Sequence, residues 1–175
     1  MKVEIICQEP LWEEISLNHL FSRTAAQVIN HTLKSDAKYL ISVLACDDKT
    51  IMKLNETFRG KKEPTNVLSW PTYFLLPNFI KPLDPFPAEK SKSDGIIELG
   101  DIAISYQRCL QEAKEQKKEF SHHLIHLITH SCLHLLGYKH DTIVDTKIME
   151  AIEIKVLATN GLESPYSEPL KEKRI

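Results

Sequence analysis

Two histidines four positions apart, followed by a glycine and a third histidine, constrain this chain more than any other stretch: His130 and His134, then Gly137 and His140. On an α-helix, positions four apart are displaced by one turn along the axis and only about 40° around it, so both imidazoles reach one point in space. A third histidine on the same stripe lies too far along the axis to join them. The chain must therefore leave the helix and come back, and Gly137 provides the left-handed residue with which helices commonly end. The pattern thus predicts a helix over Glu119 to Leu136, a tight stop at Gly137, and the return of His140 to a common centre. Three protein ligands would leave one position of a four-coordinate ion open to water, which separates a catalytic site from a closed structural one.

The surrounding run Ser-His-His-Leu-Ile-His-Leu-Ile-Thr-His offers rivals, because His126 precedes His130 by the same interval. A ligand set of His126, His130 and His134 along one stripe lacks the bend and closes a tetrahedron poorly. His122 and His123 read as a solvated helix start. In the HExxH pattern of metalloproteases the residue after the first histidine is a glutamate that takes a proton from water; here it is Ser131, so that mechanism lacks its base.

The rest of the chain sets the frame. A length of 175 residues that are 42% hydrophobic and 26% charged suits one ordinary domain with a core of its own. Lys and Arg number 22 against 24 Asp and Glu, giving a net charge of -2, so a nucleic-acid contact needs a local basic patch rather than a global field. Cys7, Cys46, Cys109 and Cys132 are scattered without metal or disulfide spacing, which suits reduced thiols in a cytosol. The N-terminal apolar run is too short for a signal-peptide core, and no stretch of about 18 apolar residues suggests a membrane span.

Apolar periodicity and turn residues predict strands over residues 3–7, 40–46, 67–70 and 98–104. Helices are predicted over 11–32, 49–58, 106–116, 119–136 and 142–158. The expected fold is a single α+β domain over residues 1–163, with a small four-stranded mixed sheet, about five helices, and the metal-binding helix at its centre. The proline-rich segment 71–95 reads as a mobile insertion, and residues 164–175 read as a charged, flexible tail.

Several blocks together resemble a known family. His130-Ser-Cys-Leu-His-Leu-Leu-Gly-Tyr-Lys-His140 is similar to the HGxLHLxGYDH signature of YbeY-type bacterial endoribonucleases, which take part in ribosomal RNA maturation. Leu54-Asn55, Phe58-Arg59-Gly60-Lys61 and Pro64-Thr65-Asn66-Val67-Leu68-Ser69-Trp70-Pro71 resemble the family's LN, FRG-K and PTDVLSFP blocks. Leu99-Gly100-Asp101-Ile102-Ala103-Ile104-Ser105 resembles its LGDI-x-IS strand, and Met149-Glu150 falls at its Met-Glu pair. Order and spacing agree from Leu40 to about Gly161. Ser131, Lys139, Asn66 and Trp70 stand where the family has glycine, aspartate, aspartate and phenylalanine. An ammonium only donates hydrogen bonds, so a role played by the aspartate beside the third histidine does not carry over to Lys139. Asp141 is either its substitute or the N-cap of the next helix.

The resemblance implies a metal-dependent, single-strand-specific endoribonuclease with a metal at His130, His134 and His140. Three imidazoles favour zinc, although nickel or copper would accept them. It also implies that Arg59, with a fork matching two phosphate oxygens, stabilises the charge of the transition state. A lone loop arginine is otherwise an ordinary solvated charge. Lys61 and Lys62 form the candidate basic patch for RNA binding, against their plainer reading as surface lysines. The partners implied are ribosomal RNA precursor and ribosomal subunit proteins, in the cytoplasm, with no membrane contact. Two other classes remain in view: an assembly factor that binds the ribosome through a domain with a structural metal, and a metalloprotease-like hydrolase.

Overall fold

The computed structural model of the protein describes residues 1–33, 37–73 and 95–166. The near-continuous apolar run ending at Cys46 becomes an interior strand, as a segment covered on both faces should. Around it the chain forms β1 (Lys2–Cys7), a 3₁₀ turn (Pro10–Glu14), α1 (Leu17–Thr32), β2 (Lys38–Cys46), α2 (Asp48–Arg59), β3 (Val67–Pro71), β4 (Ile96–Ser105), α3 (Tyr106–Glu115), α4 (Phe120–Leu135) and α5 (Ile143–Thr159). The sheet order is β1-β2-β4-β3. β1, β2 and β4 run parallel, and β3 is antiparallel to β4. The α+β class, the mixed four-stranded sheet and the five helices expected above are therefore those observed. The insertion expected over 71–95 falls largely on residues 74–94, and the tail expected from Ser164 largely on 167–175, both outside the described residues.

The helix expected over 11–32 is broken in two. Trp12 is buried and its indole Nε1 donates to the Cys46 carbonyl at 3.2 Å, which anchors the 3₁₀ turn to the end of β2. Its ring meets Tyr106 edge-on at 5.1 Å and stacks on Phe120 at 6.2 Å. Ile15 is extended (φ -115°, ψ 133°), and the chain restarts as α1 at Leu17. The break lets both the indole and the α1 stripe Phe21, Ala25 and Val28 reach the core, which a single straight helix starting at residue 11 would not.

α4 is apolar nearly all round, as a helix at the centre of a fold must be. Leu124, Ile128, Leu133 and Leu135 are fully buried among α1, α3, α5 and the sheet. Each contributes about 1.5–3 kcal/mol by leaving water. The close approach of α4 to the sheet depends on Gly100. A bulge at Leu99 shifts the β2–β4 register from Leu40↔Glu98 to Ile41↔Gly100, and Gly100 takes φ +144°, where a Cβ would lie 2.1 Å from the Trp70 carbonyl oxygen and 3.0 Å from Leu135 Cδ2. No side chain fits between strand and helix there. On the other face of the sheet α2 seals a smaller cluster of Cys46, Ile51, Leu68 and Ala103.

Candidate metal centre

The end of α4 builds the site. Gly137 is left-handed (φ 85°); its N–H donates to the His134 carbonyl at 3.0 Å, and the Tyr138 N–H donates to the Leu133 carbonyl at 3.0 Å. These are the paired bonds of a Schellman stop, and they turn the chain back along the helix. The turn carries the Tyr138 carbonyl to 2.9 Å from His134 Nδ1. Three residues past the glycine, His140 arrives beside both helical histidines, and Thr146 at the start of α5 ties the His140 carbonyl with a 3.3 Å hydrogen bond. The N-cap of α5 is Thr142, which accepts from the Asp145 N–H, so Asp141 is not a cap.

One nitrogen from each of His130, His134 and His140 lies within 4.8 Å of the others. Ring centroids are 4.4 Å apart for His130–His134, 5.5 Å for His130–His140 and 5.1 Å for His134–His140. Proton placement follows from the partners. A carbonyl and a carboxylate only accept, so His134 Nδ1 donates to Tyr138 O and His130 Nδ1 donates to Glu153 Oε1 at 2.8 Å. His134 then presents the lone pair of its Nε2, which lies 3.0 Å from His130 Nε2. Two nitrogens this close share either a proton or a metal ion. Tetrahedral zinc with Zn–N bonds of about 2.05 Å needs nitrogens about 3.3 Å apart, close to this spacing. The donor set thus fits a zinc-like ion. Burial, and secondarily the neighbouring His130, push His134 down to about 4, partly opposed by its bond to the Tyr138 carbonyl; the ring is a neutral, ligand-competent imidazole at neutral pH.

His126 does not join the three. It turns to the far side of Glu153, with Nε2 3.8 Å from Oε2 and 3.4 Å from the Tyr166 hydroxyl, which disposes of the one-stripe ligand set. Ser131 is buried and donates to the Leu127 carbonyl one turn back, so the position of the metalloprotease glutamate faces the core. His123 corrects the expectation of a solvated helix start. It is 3% exposed and bonds Glu112 at 3.1 Å, because residue 123 falls on the α4 face that packs against α3.

The three histidines open into a cleft of about 690 Å³ whose opposite wall is α2, the following loop and β3. Arg59 lines it, as the last residue of α2 rather than part of a loop. Its position is set locally: Asp47 caps the helix start by accepting the Thr50 N–H at 2.7 Å, and Gly60 ends it in the left-handed region. Buried Asn55 then clamps the loop by donating to the Glu63 carbonyl at 2.9 Å. Asn66, also in the cleft wall, donates through Nδ2 to Glu112 Oε2 at 2.9 Å. An aspartate cannot make that bond. Burial raises the Glu112 carboxyl, but bonds from His123 and Asn66 outweigh it and hold the group below the usual carboxylate range. Lys61 and Lys62 are exposed and do not line the cleft; Lys62 lies 3.8 Å from Glu56. Lys139 and Asp141 do line it.

Glu153 and Tyr166 were not anticipated. Glu153 occupies the buried stripe of α5 that runs from Met149 to Val156 and Leu157, and an acid in an apolar stripe is a legible anomaly. Tyr166, at the beginning of the expected tail, packs edge-on against His126 with ring centroids 6.0 Å apart.

Comparison with known proteins agrees with these blocks. The model of the family described as Endoribonuclease YbeY matches residues 9–161. A Dinoroseobacter shibae protein named Endoribonuclease YbeY is 38% identical over 175 residues, covering 96% of this chain and 92% of its own length. A Paracoccus denitrificans protein of the same name is 40% identical over 166 residues, covering 95% of this chain and 90% of its own. The solution structure of TM1509 from Thermotoga maritima is similar in fold, with a TM-score of 0.52 at 20% identity over 97% of this chain and 99% of that one.

Proposed function

The chain belongs to the YbeY endoribonuclease family, and from that premise we propose that it hydrolyses RNA phosphodiester bonds at the three-histidine centre with one bound zinc-like ion. The observation that carries the reading is the convergence of imidazole nitrogens in a cleft that Arg59 also lines. Zinc is the favoured ion for three neutral imidazoles, with nickel and copper as chemically acceptable replacements. When bound, such an ion supplies Lewis acidity toward a scissile-phosphate oxygen and makes water acidic enough to attack near neutral pH.

The chain's own groups supply the rest. Arg59 pairs its guanidinium with two non-bridging phosphate oxygens and stabilises the extra negative charge that builds up as water adds to phosphorus and the bond to the leaving ribose oxygen breaks. Asp141 is the one carboxylate lining the cleft among the described residues, and it is the group available to take the proton that water releases. Phe58 and Trp70, whose rings meet at 5.2 Å in the cleft wall, offer flat apolar faces on which unpaired bases stack. That favours single-stranded RNA, since stacked duplex bases do not reach such a surface. Lys61 and Lys62 add charge on the approach. The biological substrate in this reading is ribosomal RNA precursor, in ribosome maturation and quality control, with ribosomal subunit proteins as neighbours. Among the described residues no helix is long and apolar enough to cross a membrane.

The test is cleavage by metal-stripped and zinc-reloaded protein of single-stranded RNA, duplex RNA and casein. Single-stranded RNA is expected to be cut only after one equivalent of zinc is restored, with casein untouched. Cleavage of casein would favour a protease. Zinc binding with no cleavage of any substrate would favour an assembly factor with a structural ion.

A further inference from the structure

We infer that Glu153 is a positioning residue for the metal centre: through His130 it fixes the ring orientation and supplies the negative charge that a bound divalent cation requires. The inference rests on the three-histidine reading above and adds a partner from another helix. Glu153 is 1% exposed on α5, and a carboxylate so deep in a protein is costly unless several donors meet it. Three do. His130 Nδ1 is 2.8 Å from Oε1, the Tyr166 hydroxyl donates to Oε2, and His126 Nε2 is 3.8 Å from Oε2.

The two helical histidines are oriented by different chemistry. His134 donates to a neutral carbonyl, whereas His130 donates to an anion. An imidazole bonded to a carboxylate is the more basic ligand, and the carboxylate offsets part of the cation's charge in a site where His130, His134 and His140 bring none. Tyr166 holds the second oxygen, so the carboxylate is tethered through both of its oxygens. The bland alternative is a buried polar pair whose only work is to join α4 to α5. A purely structural pair changes stability in the presence and absence of metal alike; a metal-positioning pair changes affinity for the ion.

Glu153→Gln keeps the shape and an acceptor while removing the charge. Zn²⁺ affinity measured by chelator competition is expected to fall about 10- to 100-fold, with the Co²⁺-substituted protein showing an altered visible spectrum and the metal-free unfolding midpoint little changed. Equal Zn²⁺ affinity in folded Glu153→Gln and wild-type protein overturns the inference. Should Glu153→Gln fail to fold, Tyr166→Phe decides: it frees Oε2, so weaker Zn²⁺ binding supports the role and unchanged binding overturns it. His134→Ala separates the two levels of the account. Zn²⁺ retained at full affinity in that variant would remove the three-histidine centre itself, and Glu153's role with it; Zn²⁺ lost there but unaffected by Glu153→Gln would remove only the latter.

Discussion

The His134→Ala protein is expected to carry no tightly bound metal and to cleave RNA at least about 1,000-fold more slowly than wild type, which corresponds to about 4 kcal/mol of lost transition-state stabilisation. The ring is the middle member of the centre, 4.4 Å from His130 and 5.1 Å from His140 between centroids. Two remaining imidazoles, one on the helix and one beyond the turn, hold an ion far less tightly than three. The loss should also register as stability. A ligand at a hundred times its dissociation constant stabilises the folded state by about 2.7 kcal/mol, so zinc-saturated wild type should melt about 5–10 °C above zinc-treated His134→Ala. Elemental analysis, single-turnover cleavage and a melting curve with and without zinc check the three parts separately. Retention of one equivalent of metal would point to other ligands.

Arg59→Ala should behave differently. Cleavage is expected to fall on the order of 100- to 1,000-fold, the usual consequence of deleting one preorganised donor to a developing anion, while metal content stays at the wild-type value. Arg59 sits across the cleft from the histidines, on α2, with none of its atoms in the ligand set. Arg59→Lys should recover only part of the loss, because an ammonium keeps the charge but not the two-pronged geometry. Lys61→Ala with Lys62→Ala is the contrast. Those side chains lie outside the cleft, so the expected change is in the salt dependence of RNA binding, whose slope should become shallower by about 0.7 for each phosphate of a single strand that a lysine no longer neutralises. An unchanged slope would remove both lysines from the RNA path. If Arg59→Ala supports ribosome maturation in cells while neither form cleaves RNA, the assembly-factor reading gains.

The three-histidine cluster was legible in the chain because each of its parts obeys a local rule. Four-residue spacing fixes His130 and His134 on one helix face, and a glycine that alone tolerates φ 85° fixes the reversal that returns His140. Asp47 likewise marks the start of α2, whereas the reading of Arg59 as a loop residue missed that the helix runs on to Arg59 before Gly60 ends it. The parts that were not legible depend on contacts between distant segments. Periodicity reads Leu11 to Thr32 as one helix, since nothing near Trp12 in the chain reports that its indole will bond the Cys46 carbonyl across the fold. His123 reads as solvated until α3 brings Glu112 alongside it. Glu153 left a trace, an acid in the apolar stripe of α5, but its partner His130 is 23 residues earlier in the chain and only folding joins them. Sheet order was equally hidden, because the placement of β4 between β2 and β3 rests on pairing between strands distant in the chain, which leaves no turn signal.

X-ray absorption at the zinc edge of the reloaded protein reads the ligand shell itself. Three imidazole nitrogens at about 2.0–2.1 Å are expected, with the remaining coordination by exchangeable oxygen. A shell containing sulfur, or one whose histidine count is unchanged in His140→Ala, would contradict the three-histidine centre.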